Sequence, residues 1–239
     1  LTDASYEGLG GWCTALDFKW RISSADLASI GWPVLTAEPE RFKPLPPGKL
    51  HINVLEFIAV FINTWLSIRL ILTRATPPGG WVLKFLADNT SALGWMWHAS
   101  RTRRPTIQNI TRAYAALLTF SAPSTFTVQS EHIAGVDNDA ADALSRPDQF
   151  PTWSSANTLC PELKPLQAYR LPLGLLSHLH WLVSGPHTGE NLETRTKKLL
   201  SLELITLSPG ARNADSATSL SRPRPKKRRR TSSRRTRKR

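Results

Sequence analysis

Four acidic residues stand in the sequence where carboxylates can converge on a divalent cation. They are Asp3 in LTDAS, Glu56 in HINVLEF, Asp88 in LADNTSAL and Asp142 in HIAGVDNDAADALSR. Carboxylates gathered in one cleft raise one another's pKa, so such a cluster persists when a cation sits between them. A ligand set made of oxygen atoms, with no Cys or His, favours Mg²⁺ or Mn²⁺. The four segments therefore predict a metal site, provided that the fold brings them together.

Each of these acids also has a purely structural interpretation. Glu56 can complete a capping box at the start of a helix, and Asp88 can cap the helix that follows it. Asp142 can lie on a solvated helix face with Asp139 nearby, and Asp3 can be a turn residue. The sequence leaves these alternatives open, because only the distances between the carboxylates decide among them.

Two strongly patterned segments would position the central acids. Residues 54–72 carry apolar side chains at helical spacing, on a stripe wide enough for burial on most sides. The spacing of Asn53 and Glu56 places the start of this helix at Asn53. Residues 81–87 form a run that is apolar apart from Lys84, which we interpret as a buried parallel strand, and this run ends at Asp88. Ligands in open α/β sheets gather at the carboxyl ends of such strands.

The other segments complete an α/β layer domain over residues 1–146. Residues 24–49 are rich in proline and predict an insertion or long loop. The remaining predicted elements are a strand at 1–5, a turn at 6–11, a hairpin over 11–23, a strand at 50–52, helices at 90–97 and 106–120, a strand at 124–133 and a helix at 138–146.

Beyond residue 146 the composition predicts a weakly ordered extension over 147–207, with helix-capable stretches at 171–183 and 196–207, and a disordered basic tail over 208–239. Twelve of the 31 Lys and Arg residues lie in 222–239, which contains no acid. The rest of the chain is nearly neutral, which excludes a broadly basic nucleic-acid-binding body despite the net charge of +13. The tail is typical of a nuclear import signal or a nucleic-acid tether, and a basic end without a role is the alternative. The tail predicts a nuclear location, with the cytoplasm as a second location.

Other features exclude several classes of protein. Two cysteines without a CxxC motif exclude a disulfide scaffold and indicate reduced thiols inside the cell. The first residues lack the basic segment of a signal peptide. Residues 52–72 are long and apolar, but Glu56 and Arg69 interrupt them, so we predict a buried core helix rather than a membrane span.

The four acidic segments, in this order, resemble the conserved blocks of the ribonuclease H domain of retroelement reverse transcriptases, with gypsy-like and DIRS-like retrotransposons the nearest in appearance. The last block is the most specific, because Asn138 follows His132 by six residues, Asp142 follows by four more, and LSR comes next. The resemblance covers residues 1–146. It implies a ribonuclease H-like fold, a mixed five-stranded sheet with helices on both sides. It also implies two Mg²⁺ ions, or Mn²⁺, held by Asp3, Glu56, Asp88 and Asp142.

The same resemblance implies that the substrate is the RNA strand of an RNA–DNA hybrid, read through groove width, backbone and 2′-hydroxyls. It gives His132 a role in proton transfer or product release, and a strand-end histidine bonded to backbone is the alternative. Asn138 is expected to cap its helix, whereas Glu131 and Asp139 are not expected to bind metal. Phosphate and sugar contacts are expected from a basic loop and a neighbouring aromatic, with a solvated loop as the alternative: Arg101, Arg103, Arg104 and Trp97.

Two departures from the family pattern bear on function. The chain begins two residues before Asp3, so the first strand is expected to be truncated. No YxDD-type polymerase motif is present, so a polymerase would belong to an upstream domain of a polyprotein. The sequence predicts a metal-dependent endonuclease acting on RNA–DNA hybrids, since all four carboxylates are intact. The alternatives are a non-catalytic ribonuclease H-like nucleic-acid-binding module and a decayed retroelement fragment. The short first strand favours the decayed fragment.

Overall fold

The computed structural model describes residues 1–32, 50–98, 105–121, 126–184 and 192–207, which fold into a mixed α/β structure. The predicted basic loop at 101–104 and the predicted tail at 208–239 lie outside these residues. The described strands are β1 (Thr2–Ala4), β2 (Gly8–Cys13), β3 (Phe18–Ser23), β4 (Trp81–Ala87), β5 (Phe126–His132), β6 (Gln167–Arg170) and β7 (Ile205–Thr206). The described helices are α1 (Ser24–Ser29), α2 (Ile52–Ile71), α3 (Thr90–Trp97), α4 (Pro105–Ser121), α5 (Asp139–Ser145), α6 (Trp153–Leu159), α7 (Leu173–Val183) and α8 (Leu192–Leu199).

The predicted five-stranded mixed sheet is present, but its membership differs from the expected one. Its order is β1-β2-β3-β6-β7, in which β3 and β6 are parallel and the other pairs are antiparallel. Two of these strands come from the extension beyond residue 146. Strands β4 and β5 form a separate parallel pair, and β4 contacts β1 without joining its hydrogen-bond ladder. A strand of three residues offers few backbone groups for a second ladder.

Two glycines in β2 allow helices to approach the sheet from both faces. A Cβ atom at Gly10 would lie 2.4 Å from the Cβ of Leu144 in α5. A Cβ atom at Gly11 would lie 2.6 Å from Oδ1 of Asn63 in α2. Successive strand residues point to opposite faces, so the pair accommodates one helix on each side. Asp3 is the register partner of Gly10, and β1 contacts both α2 and α5.

Helix α2 confirms the predicted core helix. It is long and apolar enough to cross a membrane by length and composition, yet 94% of its apolar window is buried inside the fold. Two of its buried side chains have partners from distant elements: Trp20 Nε1 donates to Asn63 Oδ1 at 2.9 Å, and Trp65 Nε1 donates to the Leu199 carbonyl at 2.8 Å. Burial on nearly every side therefore accounts for its apolar composition.

The described residues beyond 146 form regular helices and strands that pack against the first half of the chain. Lys19 of β3 is fully buried, and its Nζ donates to Asn157 Oδ1 at 2.8 Å and to the Leu163 carbonyl at 2.6 Å. Helix α7 buries Leu175, Leu179 and other leucines in the main core. These contacts join residues that are far apart in the sequence, so local composition does not reveal them.

Smaller differences concern element boundaries in the first half of the chain. Strand β2 begins at Gly8, within the predicted turn, because pairing with β1 and β3 overrides the low strand propensity of glycine. Helix α1 lies within the predicted insertion, and Ser23 caps it in a capping box with Asp26. The strand predicted at 50–52 is absent, because α2 already begins at Ile52.

Candidate metal centre

Three of the four predicted acids converge at one end of the β1–β4 contact. Asp3 lies in the middle of β1, Glu56 lies in the second turn of α2, and Asp88 directly follows β4. One carboxylate oxygen from each lies within 4.8 Å of the others. Because β1 contacts both α2 and β4, three segments that are distant in sequence deliver their carboxylates to one point.

The structural alternatives for these three acids do not hold. Helix α2 begins before the predicted Asn53 cap, since His51 precedes it and its Nδ1 accepts from the Asn53 backbone at 3.1 Å. Glu56 therefore lies beyond the capping-box position. Asn89, not Asp88, caps α3, because its Oδ1 accepts from the Ala92 backbone at 3.0 Å. Asp3 belongs to a strand rather than to a turn.

Burial and mutual repulsion raise the pKa values of two of the carboxylates. Glu56 and Asp3 are each only 5% exposed. Burial, followed by the charges of Asp3 and Asp88, raises the pKa of Glu56 to about 9. Burial is also the largest cause that raises the pKa of Asp3 to about 7, while a hydrogen bond from Ser145 opposes the rise. Such paired, raised pKa values are characteristic of functional carboxylate clusters.

One buried oxygen in this cluster lacks a hydrogen-bond partner. Oε2 of Glu56 is buried, and no donor reaches it among the residues that the structure describes. An unpaired buried carboxylate oxygen is costly, and a coordinated cation would satisfy it. The oxygen-only donor set suits a hard cation. The cluster of Asp3, Glu56 and Asp88 can therefore hold a metal ion.

Asp142, the fourth predicted ligand, stands beside this group rather than within it. Its side chain is 39% exposed, and its Oδ1 accepts from Nε of Arg146, the residue that follows α5, at 2.7 Å. It is not among the three residues whose carboxylate oxygens meet. Its negative charge nevertheless contributes to the raised pKa values of Asp3 and Glu56, so it lies within electrostatic reach of both.

His132 ends β5 next to the cluster. It is the register partner of Ala87, and its Nε2 lies 3.0 Å from the backbone carbonyl of Asp88. This contact is the backbone bond named as the alternative for His132, yet it also places the exposed imidazole at the rim of the carboxylate group. Because the described contact is to a carbonyl, the ring donates a proton there.

The predicted nucleic-acid contacts are only partly within the described residues. Arg101, Arg103 and Arg104 lie outside them. Trp97 ends α3, is 53% exposed, and donates from Nε1 to Ser130 Oγ at 2.8 Å. Its ring is therefore held in place while much of its surface stays open to solvent.

The two acids not expected to bind metal, Glu131 and Asp139, lie outside the three-carboxylate group. Glu131 forms an ion pair with Lys84 on the exposed face of β4 and β5, and Asp139 is exposed. Asn138 is fully buried, but it does not cap α5 through its side chain as predicted. Its Nδ2 instead donates to the Thr2 carbonyl at 3.2 Å, which joins the start of α5 to β1.

Sequence reasoning missed one residue that contacts the cluster. Ser145, the last residue of α5, donates from Oγ to Asp3 Oδ2 at 2.5 Å. The serine stands three residues after Asp142 in the LSR sequence. Residues three apart on a helix lie on the same face, so this spacing could have indicated that Ser145 lies near the carboxylates.

Comparisons of the chain with protein-family models, curated proteins and solved structures found no match.

The raised pKa values predict how stability depends on pH when metal is removed. The native protein retains protons on Asp3 and Glu56 that the unfolded chain releases above about pH 4. Stability of the protein in EDTA is therefore greatest at low pH with respect to these groups and falls as pH rises from about 4 to about 9. Thermal melts at a series of pH values measure this slope.

The Glu56→Gln variant supplies the control for this prediction. It removes the group with the larger pKa rise, so its melting temperature in EDTA should fall less steeply between about pH 5 and pH 9. The gain in melting temperature on adding divalent cations should be largest near pH 9, because the carboxylates are then ionised and can bind the cation. A wild-type melting temperature in EDTA that rises across this range would contradict the prediction.

Proposed function

We propose that the protein is a metal-dependent ribonuclease H that hydrolyses the RNA strand of RNA–DNA hybrids, as part of a retrotransposon reverse transcriptase polyprotein. The convergence of Asp3, Glu56 and Asp88 carries this proposal, because their oxygens lie within 4.8 Å of one another. These are the first three acids of the four segments that resemble the family, and each occupies the kind of element that the resemblance implies.

The arrangement of elements supports a ribonuclease H-like fold as part of the same proposal. An antiparallel β1-β2-β3 unit is followed by the core helix α2 and then by the parallel strands β4 and β5. Helices α2 and α5 approach β2 from opposite faces. In a ribonuclease H-like sheet the first strand is central and lies next to β4, and β1 does contact β4.

Mg²⁺ is the proposed cofactor, with two ions bound and Mn²⁺ as a substitute. Asp3, Glu56 and Asp88 would hold it, and Asp142 would complete the set after leaving Arg146. Bound divalent ions of this kind activate a water molecule and stabilise the leaving oxygen of a phosphodiester. The orphaned Oε2 of Glu56 and the absence of nitrogen or sulfur ligands in the group fit hard divalent cations.

Other residues would bind and orient the hybrid. The exposed imidazole of His132 stands beside Asp88, where it can accept or deliver a proton at the edge of the carboxylate group. The fixed, half-exposed ring of Trp97 offers a surface for a sugar or base. We assign phosphate contacts to Arg101, Arg103 and Arg104, and a nuclear address to the basic tail.

The decisive experiment offers the full chain an RNA–DNA hybrid labelled on the RNA strand. Cleavage of the RNA in Mg²⁺ or Mn²⁺, its absence in EDTA, and no cleavage of duplex DNA are the expected results. Asp139→Asn is a matched control, because this exposed acid lies on α5 outside the three-carboxylate group. Hybrid that is bound but never cut at any metal concentration would favour a non-catalytic binding module. A chain without cooperative unfolding would favour a decayed fragment.

A further inference from the structure

The hydroxyl of Ser145 is tied to the candidate metal centre by a short, fully buried contact. Its Oγ lies 2.5 Å from Asp3 Oδ2 and 3.0 Å from the carbonyl of Asp142, and the residue is 0% exposed. A serine hydroxyl carries a single proton and donates to one acceptor at a time. Oδ2 of Asp3 is the closer of the two acceptors, so the Ser145 hydroxyl donates its hydrogen bond to this oxygen.

The serine is itself fixed to the strand that carries Asp3. Its backbone carbonyl accepts from Ser5 Oγ at 2.7 Å, just beyond β1. The preceding Leu144 is fully buried against Gly10, the register partner of Asp3. Because both attachments hold Ser145 against β1, its hydroxyl has little freedom to leave the carboxylate.

We propose that Ser145 is a positioning residue that holds one oxygen of Asp3 and so orients this carboxylate toward the cation shared with Glu56 and Asp88. The expected effect of Ser145 on catalysis rests on the proposed function. Its expected effect on metal affinity depends only on the geometry of the cluster. Hydrogen-bond donors to metal-binding carboxylates preorganise them, and their loss typically weakens metal affinity or activity by about 10- to 100-fold.

The alternative role for Ser145 is purely structural, namely a buried hydroxyl that stabilises the end of α5. A structural role would lower the melting temperature of a variant but would leave its affinity for metal unchanged. The two roles therefore separate when metal binding and stability are measured on the same variants.

The experiment compares wild type with Ser145→Ala by calorimetric titration with Mg²⁺ and Mn²⁺, without nucleic acid. The expected result is an affinity about tenfold or more weaker in the folded variant. Ser145→Thr retains a hydroxyl and should recover part of this affinity. Ser67→Ala is the matched control, because Ser67 is also a fully buried serine but lies in the second half of α2. Equal affinities for wild type and Ser145→Ala would overturn the proposal, as would a wild type that binds neither metal.

Hybrid cleavage adds a second readout. In Ser145→Ala, the Mg²⁺ concentration for half-maximal cleavage should rise by a similar factor, while the KM for hybrid at saturating Mg²⁺ stays near the wild-type value. If wild type binds metal but cuts no hybrid, the proposed function fails while the titration still tests Ser145. If wild type cuts hybrid and Ser145→Ala shows an unchanged metal dependence, Ser145 is not a positioning residue and the proposed function stands.

Discussion

The Asp88→Asn variant should lose cleavage of the RNA strand by at least ~10³-fold, which corresponds to about 4 kcal/mol of transition-state stabilisation. Asp88 supplies one of the three oxygens that meet within 4.8 Å, and it is the most exposed of the three acids. An amide has the size of the carboxylate but lacks the charge that holds a divalent cation. Binding of the hybrid should remain, because the variant leaves the surrounding surface unchanged.

The same variant should be more stable than wild type when metal is absent. The charge of Asp88 contributes to the raised pKa values of both Asp3 and Glu56, so its removal relieves repulsion in the cluster. The expected melting temperature in EDTA near pH 8 is therefore higher than that of wild type. A gain of stability with a loss of activity is the signature of a functional carboxylate rather than of a structural one.

Two measurements check this prediction with one control. Cleavage of labelled hybrid in Mg²⁺ gives the loss of activity, and thermal melts in EDTA give the change in stability. Asp139→Asn removes the same charge from an exposed position outside the cluster and should change neither measurement. Near-normal cleavage by Asp88→Asn would remove this residue from the catalytic site.

Truncation after residue 146 should abolish cooperative folding. The deletion removes β6, the parallel partner of β3, and two acceptors of the buried Lys19 ammonium, Asn157 and the Leu163 carbonyl. Taking hydrogen-bond acceptors away from a buried charge is strongly destabilising. The domain boundary that composition suggests at residue 146 would therefore cut through the folded unit.

The lost apolar burial points the same way. Leu175, Leu179 and Leu182 of α7 are fully buried in the main core, and a Leu→Ala change at one such site costs about 2–5 kcal/mol. The loss of several such side chains is comparable with the total stability of about 5–15 kcal/mol typical of a domain.

A chain ending at residue 207 provides the matched control for this truncation. It keeps every element of the described structure, so its melting temperature should equal that of the full chain. Circular dichroism melts and chemical denaturation compare the two truncated forms. A sharp unfolding transition for residues 1–146 would show that the extension is dispensable for folding.

Local patterns predicted the position of the elements that carry a clear apolar signal. Helix α2 is apolar on nearly every side because it is buried on nearly every side. Strand β4 begins and ends at the predicted residues because its run is bounded by a turn and by Asp88. It is not buried on both faces as predicted, since Val82 and Lys84 are exposed. Strand β2 was predicted less well, since its glycines are explained by helices that approach from elsewhere in the chain.

The sequence by itself determined which acids can bind a hard cation and on which elements they lie, because residue type and periodicity are local properties. Only the tertiary structure decided that Asp3, Glu56 and Asp88 meet while Asp142 pairs with Arg146. Only the tertiary structure joined Ser145 to Asp3 and Lys19 to the extension. These contacts link residues more than 130 positions apart, and they depend on how layers pack rather than on any repeat along the chain.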